Sequence, residues 1–378
     1  MTTSYDAIVI GSGAMGSAAA YYLTQQGHKT LLLEQFYLDH QQGSSYGYSR
    51  IIRYAYDHPD YIALAHANYA LWRDLEVKLG QELLVTSGGL DLGHPDNPRF
   101  AEVGNTMRTM NIPFEELTPQ QVMQRFPQYH IPDDFMGFYQ PDAGVLRTSL
   151  CIKGHVNLAL QQGLEFKSEC KVLAITPSAN GVIVETAQGT FQAAHLVITA
   201  GAWAGKVLAG LGLQLPLQPT REQLTFFDAP SEYLPPRMPI CINWGRVGEE
   251  IFYSIPDVTG NGFKAARHFS YENVDPNTLN RTPDKAYEET IRAYLRAFHP
   301  AIAQAKLLEA FVCMYTMTPD EHFIIDTHPD YPHIALGAGF SGHGFKFSTL
   351  IGKILAELAT GQPVKQKIDL FTISRFNH

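Results

Sequence analysis

The chain is poor in cysteine, in positive charge and in long apolar runs. Its 378 residues include only four cysteines, Cys151, Cys170, Cys241 and Cys313. No two of them form a Cys-x-x-Cys pair, which argues against a zinc cluster or a dithiol motif, and no metal ligand set is expected. So sparse a set suits a reducing compartment. No block of lysine and arginine stands against the formal net charge of −9, so nucleic acid and anionic membrane surfaces are disfavoured as partners. No apolar span reaches the roughly eighteen residues that a membrane crossing needs. Met1 to Asp6 lacks the basic-then-apolar pattern of an export signal, and Ser374 to His378 carries no peroxisomal or lipidation signal. The expected location is the cytoplasm. Internal repeats and low-complexity tracts are also missing.

Hydrophobic residues make up 45% and charged residues 17%, so a well-filled core is expected rather than disorder. The length suits one large domain or two interleaved ones. A first apolar strand is expected over Tyr5 to Ile10, then a helix from about Ala14 to Gln26 that stops at Gly27, then a strand from Thr30 to Leu33 ending on Glu34. Asp60 to Leu79 has helical character, strand-like pieces follow around Leu84–Leu92, and Pro113 to Gly137 reads as loop-rich. A helix is expected from Ser149 to about Gln162. Short strands follow over Cys170–Thr176, Gly181–Thr186 and Thr190–Gln192, joined by the turn signals Asn180-Gly181 and Gln188-Gly189. Another buried strand is expected from His195 to Thr199. The region from about 215 to 320 reads as strands with one helix, Asp284 to Phe298. A last strand, His333 to Leu336, runs into the glycine-rich stretch Gly337–Gly344 and a helix to about Gly361. A nucleotide domain is thus expected from residues 1–80, 150–215 and 320–378, and a second domain from 81–149 and 216–319.

The strongest local signal is Gly11-x-Gly13-x-x-Gly16 between a strand and a helix. The first glycine makes the tight turn, the second lets backbone approach a pyrophosphate, and the third lets helix pack on strand. Ala14 and Met15 open the helix, whose N-terminal N–H groups face the phosphates. Glu34 follows at the end of the second strand, where a carboxylate accepts from ribose hydroxyls. This pattern leaves FAD and NAD both open. A second glycine-rich strand-to-helix junction, containing Gly342, His343 and Gly344, suits the longer FAD, with backbone N–H groups at the flavin's electron-poor end.

Further segments carry a family resemblance: Arg50-Ile51-Ile52-Arg53, Cys313-Met314-Tyr315-Thr316, Asp320 to Asp326, and Gly339 to Phe347. With the fingerprint Ile8 to Gly16 they span the chain in family order. The chain resembles the monomeric sarcosine oxidase and N-methyltryptophan oxidase group, FAD-dependent amine oxidases of the D-amino-acid-oxidase-like fold. The resemblance implies an α/β architecture, a Rossmann-like FAD-binding domain plus a substrate domain with a mixed, largely antiparallel sheet. It implies FAD held by a thioether from its 8α-methyl group to Cys313. It also implies a monomer acting on a small secondary amine, with molecular oxygen as the second partner.

The same resemblance implies that Arg53 and Lys346 hold a substrate carboxylate, with Lys346 also beside the cofactor. Arg50 would stand near the flavin, Lys264 would promote reaction with oxygen, and Tyr253 and His268 would lie on the substrate side. Tyr315 would line the site, as would Trp244. One segment departs from the family. Where the family reads Gly-Ser-His-His-Gly-Asp-Thr-Arg, this chain has Gly43-Ser44-Ser45-Tyr46-Gly47-Tyr48-Ser49-Arg50. Ser44 is expected against the cofactor, and Tyr46 takes the place of a histidine close to the flavin, so pocket volume and protonation must differ. Sarcosine, N-methyl aromatic amino acids, proline and pipecolate all remain admissible substrates. The rival readings are an amine or D-amino-acid dehydrogenase, a glycated-amine oxidase of the same fold, and a nicotinamide-dependent dehydrogenase.

Overall fold

The computed structural model describes residues 3–376; Met1, Thr2, Asn377 and His378, the outer ends of the terminal stretches read above, lie outside the described residues. The first sheet is centred on Thr3–Ile10. This strand pairs in parallel with Thr30–Leu33 on one side and Gly189–Ile198 on the other. Glu165–Lys167 extends the first side, and Ile334–Ala338 joins Gly189–Ile198 in parallel. The four residues Thr30–Leu33 and all five of Ile334–Ala338 are buried, as strands covered on both faces must be. An antiparallel hairpin, Val172–Ser178 with Gly181–Thr186, completes one end. The two pieces expected at Thr190–Gln192 and His195–Thr199 are a single strand, because Ala193-Ala194 between them contains no turn-forming residue.

The second sheet has eight strands, in the order Leu307–Met317, Gln218–Phe227, Phe263–His268, Ile251–Ile255, Ile240–Asn243, Gly89–Gly93, Met136–Gln140, Glu115–Leu117. It is mixed and largely antiparallel, with a parallel pairing between Ile240–Asn243 and Gly89–Gly93. A small third sheet joins Ser49–Ile52, Gly144–Arg147 and Leu84–Thr86. Its strands come from both sides of the expected boundary at residue 80, so the arginine pair is carried by neither large sheet.

The stretch expected to be loop-rich holds a helix, Pro119–Arg125, and a second unanticipated helix covers Pro98–Thr109. In both, the proline is the first helical residue, where a missing N–H is harmless and the fixed φ suits the helix. Thr118 and Gln121 close a reciprocal capping box on the first, and Asn97 caps the second through the N–H groups of Arg99 and Phe100. Asp284 is likewise a cap, accepting from the Ala286 N–H, and its helix runs Lys285–Phe298.

The first helix, Ala14–Gln25, packs against the last long one, Ser348–Ala359. A Cβ added at Gly352 would lie 2.4 Å from Ala18 Cβ and 2.6 Å from the Ala19 nitrogen, so only glycine allows this approach. The helix Pro59–Leu79 lies alongside. Its fully buried Trp72 donates from Nε1 to the Lys346 carbonyl at 2.8 Å, and truncating such a side chain costs about 3–5 kcal/mol. Among the described residues, no helix is long and apolar enough to cross a membrane.

Candidate active site

Two cavities meet between the sheets. The larger, of about 510 Å³, is lined by Gly11, Gly13, Ala14, Met15 and Glu34 at one end and by Gly342 and Gly344 at the other. Gly11 has φ +95°, and a Cβ there would sit 2.5 Å from the Thr199 carbonyl oxygen. Gly16 lies behind the wall: its Cβ would fall 1.8 Å from the Gly11 oxygen, so this glycine seats the helix on the strand turn. The Glu34 carboxylate accepts from Ser12 N–H at 2.8 Å, Ser12 Oγ at 3.0 Å and Phe36 N–H at 2.9 Å, with His40 Nε2 at 3.4 Å. Burial works against its charge, but His40 and these N–H donors hold it below the usual glutamate range. Ser44 Oγ and Thr316 Oγ1, both on this wall, are buried without a protein partner. A bare glycine cradle at a helix N-terminus, an ionised carboxylate held beside it by Ser12 and two unsatisfied hydroxyls fit a bound FAD.

Arg50, Tyr315, Gly342 and Phe345 line both cavities. Arg50 donates to the backbone carbonyls of Ser49, Ser44 and Tyr46 at 2.9, 3.0 and 2.6 Å. It has no carboxylate partner among the described residues, and it stands at the junction. Gly342 has φ +78°, and a Cβ there would strike the Tyr315 ring at 2.3 Å. Its neighbour Ser341, fully buried, is held at φ 44°, as is Phe269 at φ 69° on the smaller cavity. Such left-handed non-glycine residues collect at sites where the surroundings impose them.

The smaller cavity, of about 300 Å³, is walled by Trp244, Tyr253, Ile255 and Phe269. Arg53 donates from Nη1 to Asp91 Oδ1 at 2.6 Å, and Trp244 Nε1 donates to the same oxygen at 2.8 Å. Burial raises the Asp91 carboxyl, and Arg53 and Trp244 oppose that rise. On the same cavity, and against the same Tyr56 ring as Arg53, Lys346 Nζ donates to Tyr56 Oη at 2.7 Å and to the His343 carbonyl at 2.8 Å. Burial, then Arg53, hold this lysine well below its ordinary value. Lys264 is buried beside Tyr253 and Phe226, donates only to the Ser49 carbonyl at 3.3 Å, and is pushed well down by burial and Arg50. Cys313 opens onto the same cavity. Burial pushes its thiol up to about 11, while Arg50, Lys264 and Arg281 pull it down and Glu222 adds to the rise. His268, against Phe269 and Tyr315, is driven down to about 3 by burial and by Arg99, Lys346 and Arg53, so it stays neutral near pH 7.

The structure therefore gathers Arg53, Lys346, Lys264, Cys313, Tyr253, His268 and Trp244 around one cavity, and the fingerprint residues with Glu34 and Ser44 around the other. Three expected placements differ. Tyr46 lines neither cavity; its ring lies against Phe311 with centroids 4.6 Å apart, in an aromatic cluster with Tyr48 and Phe226. A phenol finds there the apolar contact that the histidine it replaces has less need of. His343, expected beside the cofactor, and Lys346, expected beside both cofactor and substrate, line the smaller cavity, where Tyr56 Oη meets the His343 ring at 3.2 Å and Lys346 Nζ at 2.7 Å. Asp91 was not anticipated. Its one trace in the sequence is a carboxylate between Leu90 and Leu92 in a wholly buried strand, which requires a buried partner.

Comparison with known proteins agrees with this architecture. Residues 6–358 match the family described as FAD dependent oxidoreductase. The monomeric sarcosine oxidase of Bacillus sp. (strain NS-129) is 36% identical, over 99% of this chain and 98% of that protein. The N-methyl-L-tryptophan oxidase of Yersinia pestis (strain Pestoides F) is 33% identical, over 98% and 99%. The solved open form of NikD, an amino acid oxidase of nikkomycin biosynthesis, superposes with a TM-score of 0.88 at 24% identity, covering 98% of each chain, and shares the fold. The chain belongs to the FAD dependent oxidoreductase family, in the group that contains the monomeric sarcosine oxidases and N-methyl-L-tryptophan oxidases.

Proposed function

We propose that this FAD-dependent enzyme oxidises a small secondary amino acid, N-methylated or cyclic, to an imine with release of hydrogen peroxide. The observation that carries the reading is the meeting of the two cavities. A cofactor-sized cleft opens, at Arg50 and Tyr315, onto a smaller pocket with Arg53 and Lys346 on it. Cys313 forms the thioether to FAD; its thiol faces three cations whose pull toward the thiolate opposes the burial that holds it protonated. Bound FAD supplies the two-electron acceptor and the route from substrate to oxygen. The domain division follows the two large sheets, with residues 1–80, 150–215 and 320–378 on the FAD side. We take the protein to act as a monomer in the cytoplasm, in keeping with its four unpaired cysteines and the name of its bacterial relative.

Arg53 orients the substrate carboxylate. Asp91 occupies one of its nitrogens, which leaves the rest of the planar fork for the ligand. Lys346 adds a point charge from beside the same Tyr56 ring, and together they fix the substrate's α-carbon and N-alkyl group against the junction. The amine must shed its ammonium proton, because a protonated nitrogen has no lone pair to drive oxidation. The dry aromatic wall of Trp244, Tyr253 and Phe269 disfavours the ammonium. Lys264 supplies positive charge beside oxygen as it is reduced. The product imine hydrolyses in water after release and needs no dedicated residue.

A peroxide-release screen over sarcosine, N-methyl aromatic amino acids, proline and pipecolate tests the reading; turnover of none of them, with D-amino acids or a glycated amine oxidised instead, overturns it. Acid precipitation tests the link to Cys313: the colour stays with the pellet, and in Cys313→Ser it moves to the supernatant. Lys264→Met retains reduction by substrate but reoxidises in air more slowly by about a hundredfold or more.

A further inference from the structure

We propose that Lys346 is the proton acceptor of the smaller cavity: it stands neutral in the resting enzyme and takes up one proton when a carboxylate binds. The inference rests on the carboxylate clamp of Arg53 and Lys346 proposed above. The two clamp cations differ in one respect. Arg53 has its own buried countercharge, Asp91 at 2.6 Å, which Trp244 also holds. Lys346 has none. Its Nζ meets only neutral acceptors, the Tyr56 hydroxyl and the His343 carbonyl. Its backbone is fixed from the other side, where Asn68 Nδ2 and Trp72 Nε1 donate to its carbonyl at 2.5 and 2.8 Å. The side chain is buried and cannot swing out to water to keep its charge.

The other titratable groups around the cavity are neutral or already paired. Asp57 and Glu321 share Arg99, at 3.8 and 3.1 Å. Asp320 is held by Arg375 at 2.7 Å and by the His322 N–H. Burial keeps His268, His322 and His343 from gaining charge and keeps Tyr56, Tyr61, Tyr253 and Tyr315 from losing it. Lys264 and Arg50 also lack a carboxylate partner among the described residues, but Lys264 belongs to the wall with Cys313 and Phe226, and Arg50 stands at the junction with the larger cavity, tied to three backbone carbonyls. A carboxylate arriving at Arg53 therefore meets one group able to answer its charge, and that group is the Lys346 amine.

The proton balance explains how a zwitterion becomes reactive. The substrate arrives with a carboxylate and an ammonium. One N–H bond breaks at the ammonium and one forms at Lys346 Nζ, with no net exchange with solvent. The carboxylate gains a paired ammonium, and the substrate nitrogen gains its lone pair. Binding and activation become one event.

A carboxylate with no ammonium proton to give exposes the step, because the proton must then come from buffer. Titration calorimetry of the holoenzyme with pyrrole-2-carboxylate, in phosphate and in Tris near pH 8.5, reads that proton directly. The expected result is uptake approaching one proton per ligand bound, and a Kd that weakens by about tenfold per pH unit in that range. Lys346→Arg, charged at every accessible pH, binds the ligand with no uptake and a flat Kd. Lys346→Gln binds more weakly, also without uptake. Tight binding to the wild type with no uptake overturns the inference and leaves the clamp standing. Failure to bind at all overturns the clamp, and the inference with it.

Discussion

The larger cavity is shaped by backbone, and the smaller one by side chains. Around the first, Gly11, Gly13 and Gly16 lie within a few residues of one another, and the buried acid Glu34 is satisfied by Ser12 and Phe36. Around the second, Arg53, Asp91, Trp244, Lys264, Cys313 and Lys346 come from separate strands and loops of the second and third sheets and from the closing helix region. A backbone cradle tolerates little change, since Gly11 and Gly16 are pressed against main-chain atoms and Gly13 against the Ser45 hydroxyl. A side-chain pocket can change one residue at a time. A family with this construction keeps its cofactor while its substrates diverge.

Four substitutions test that contrast. The largest effect is expected from Gly16→Val. The first side-chain carbon would overlap the Gly11 oxygen at 1.8 Å, so the purified protein should carry no flavin absorbance; a yellow, folded variant would break the comparison. Next is Arg53→Met, which leaves the cradle intact. Flavin content should be unchanged, while kcat/KM falls by about a hundredfold or more as the charge-assisted clamp is lost. Third is Asp91→Asn, which keeps the shape beside Arg53 and Trp244 but removes the countercharge. A rise in KM of about tenfold is expected, with kcat changed by no more than about twofold; a fall in kcat alone would assign Asp91 a different role. The last effect is on stability. Burial holds Lys264 below its ordinary value of 10.5 in the folded protein, so between its folded and unfolded values the unfolded chain binds the proton more readily. Wild-type stability therefore rises with pH in that window and is reduced below it. Lys264→Met escapes this penalty. Denaturant titrations should show it gaining on the order of 1–2 kcal/mol over wild type as pH falls from about 10.5 toward neutrality, and no gain would mean the site supplies a counter-anion.

The same contrast explains what the sequence made legible. The fingerprint, its strand and helix, and Glu34 are local in the chain, and the structure has them within a residue or two of the expected bounds. Asp91 was hidden because its meaning depends on sheet register. Only the parallel pairing of Asp91 with Ile242, and the Trp244 N–H bond to the Leu92 carbonyl, bring the acid to the indole. The helix at Pro119 lies in the stretch read as loop-rich, where proline is a first helical residue and not a breaker, and the helix at Pro98 lies between the segments read. Tyr46 shows the limit of reasoning by position. The resemblance locates its backbone, whose carbonyl does reach Arg50, but Phe311, from a strand more than 200 residues away, decides where the ring points.

The contact of Gly352 with Ala18 and Ala19 has a consequence for how the protein is made. The helix that opens the cofactor site leaves the ribosome well before the helix it leans on, which lies more than 300 residues further along the chain. Until Ser348–Ala359 emerges, the Ala-rich face of Ala14–Gln25 has lost a large part of its covering, and an uncovered apolar face is exposed to aggregation. Flavin loading is therefore expected only after Ser348–Ala359 has been made, and a chain clipped before residue 348 should fail to colour although every glycine of its fingerprint is present.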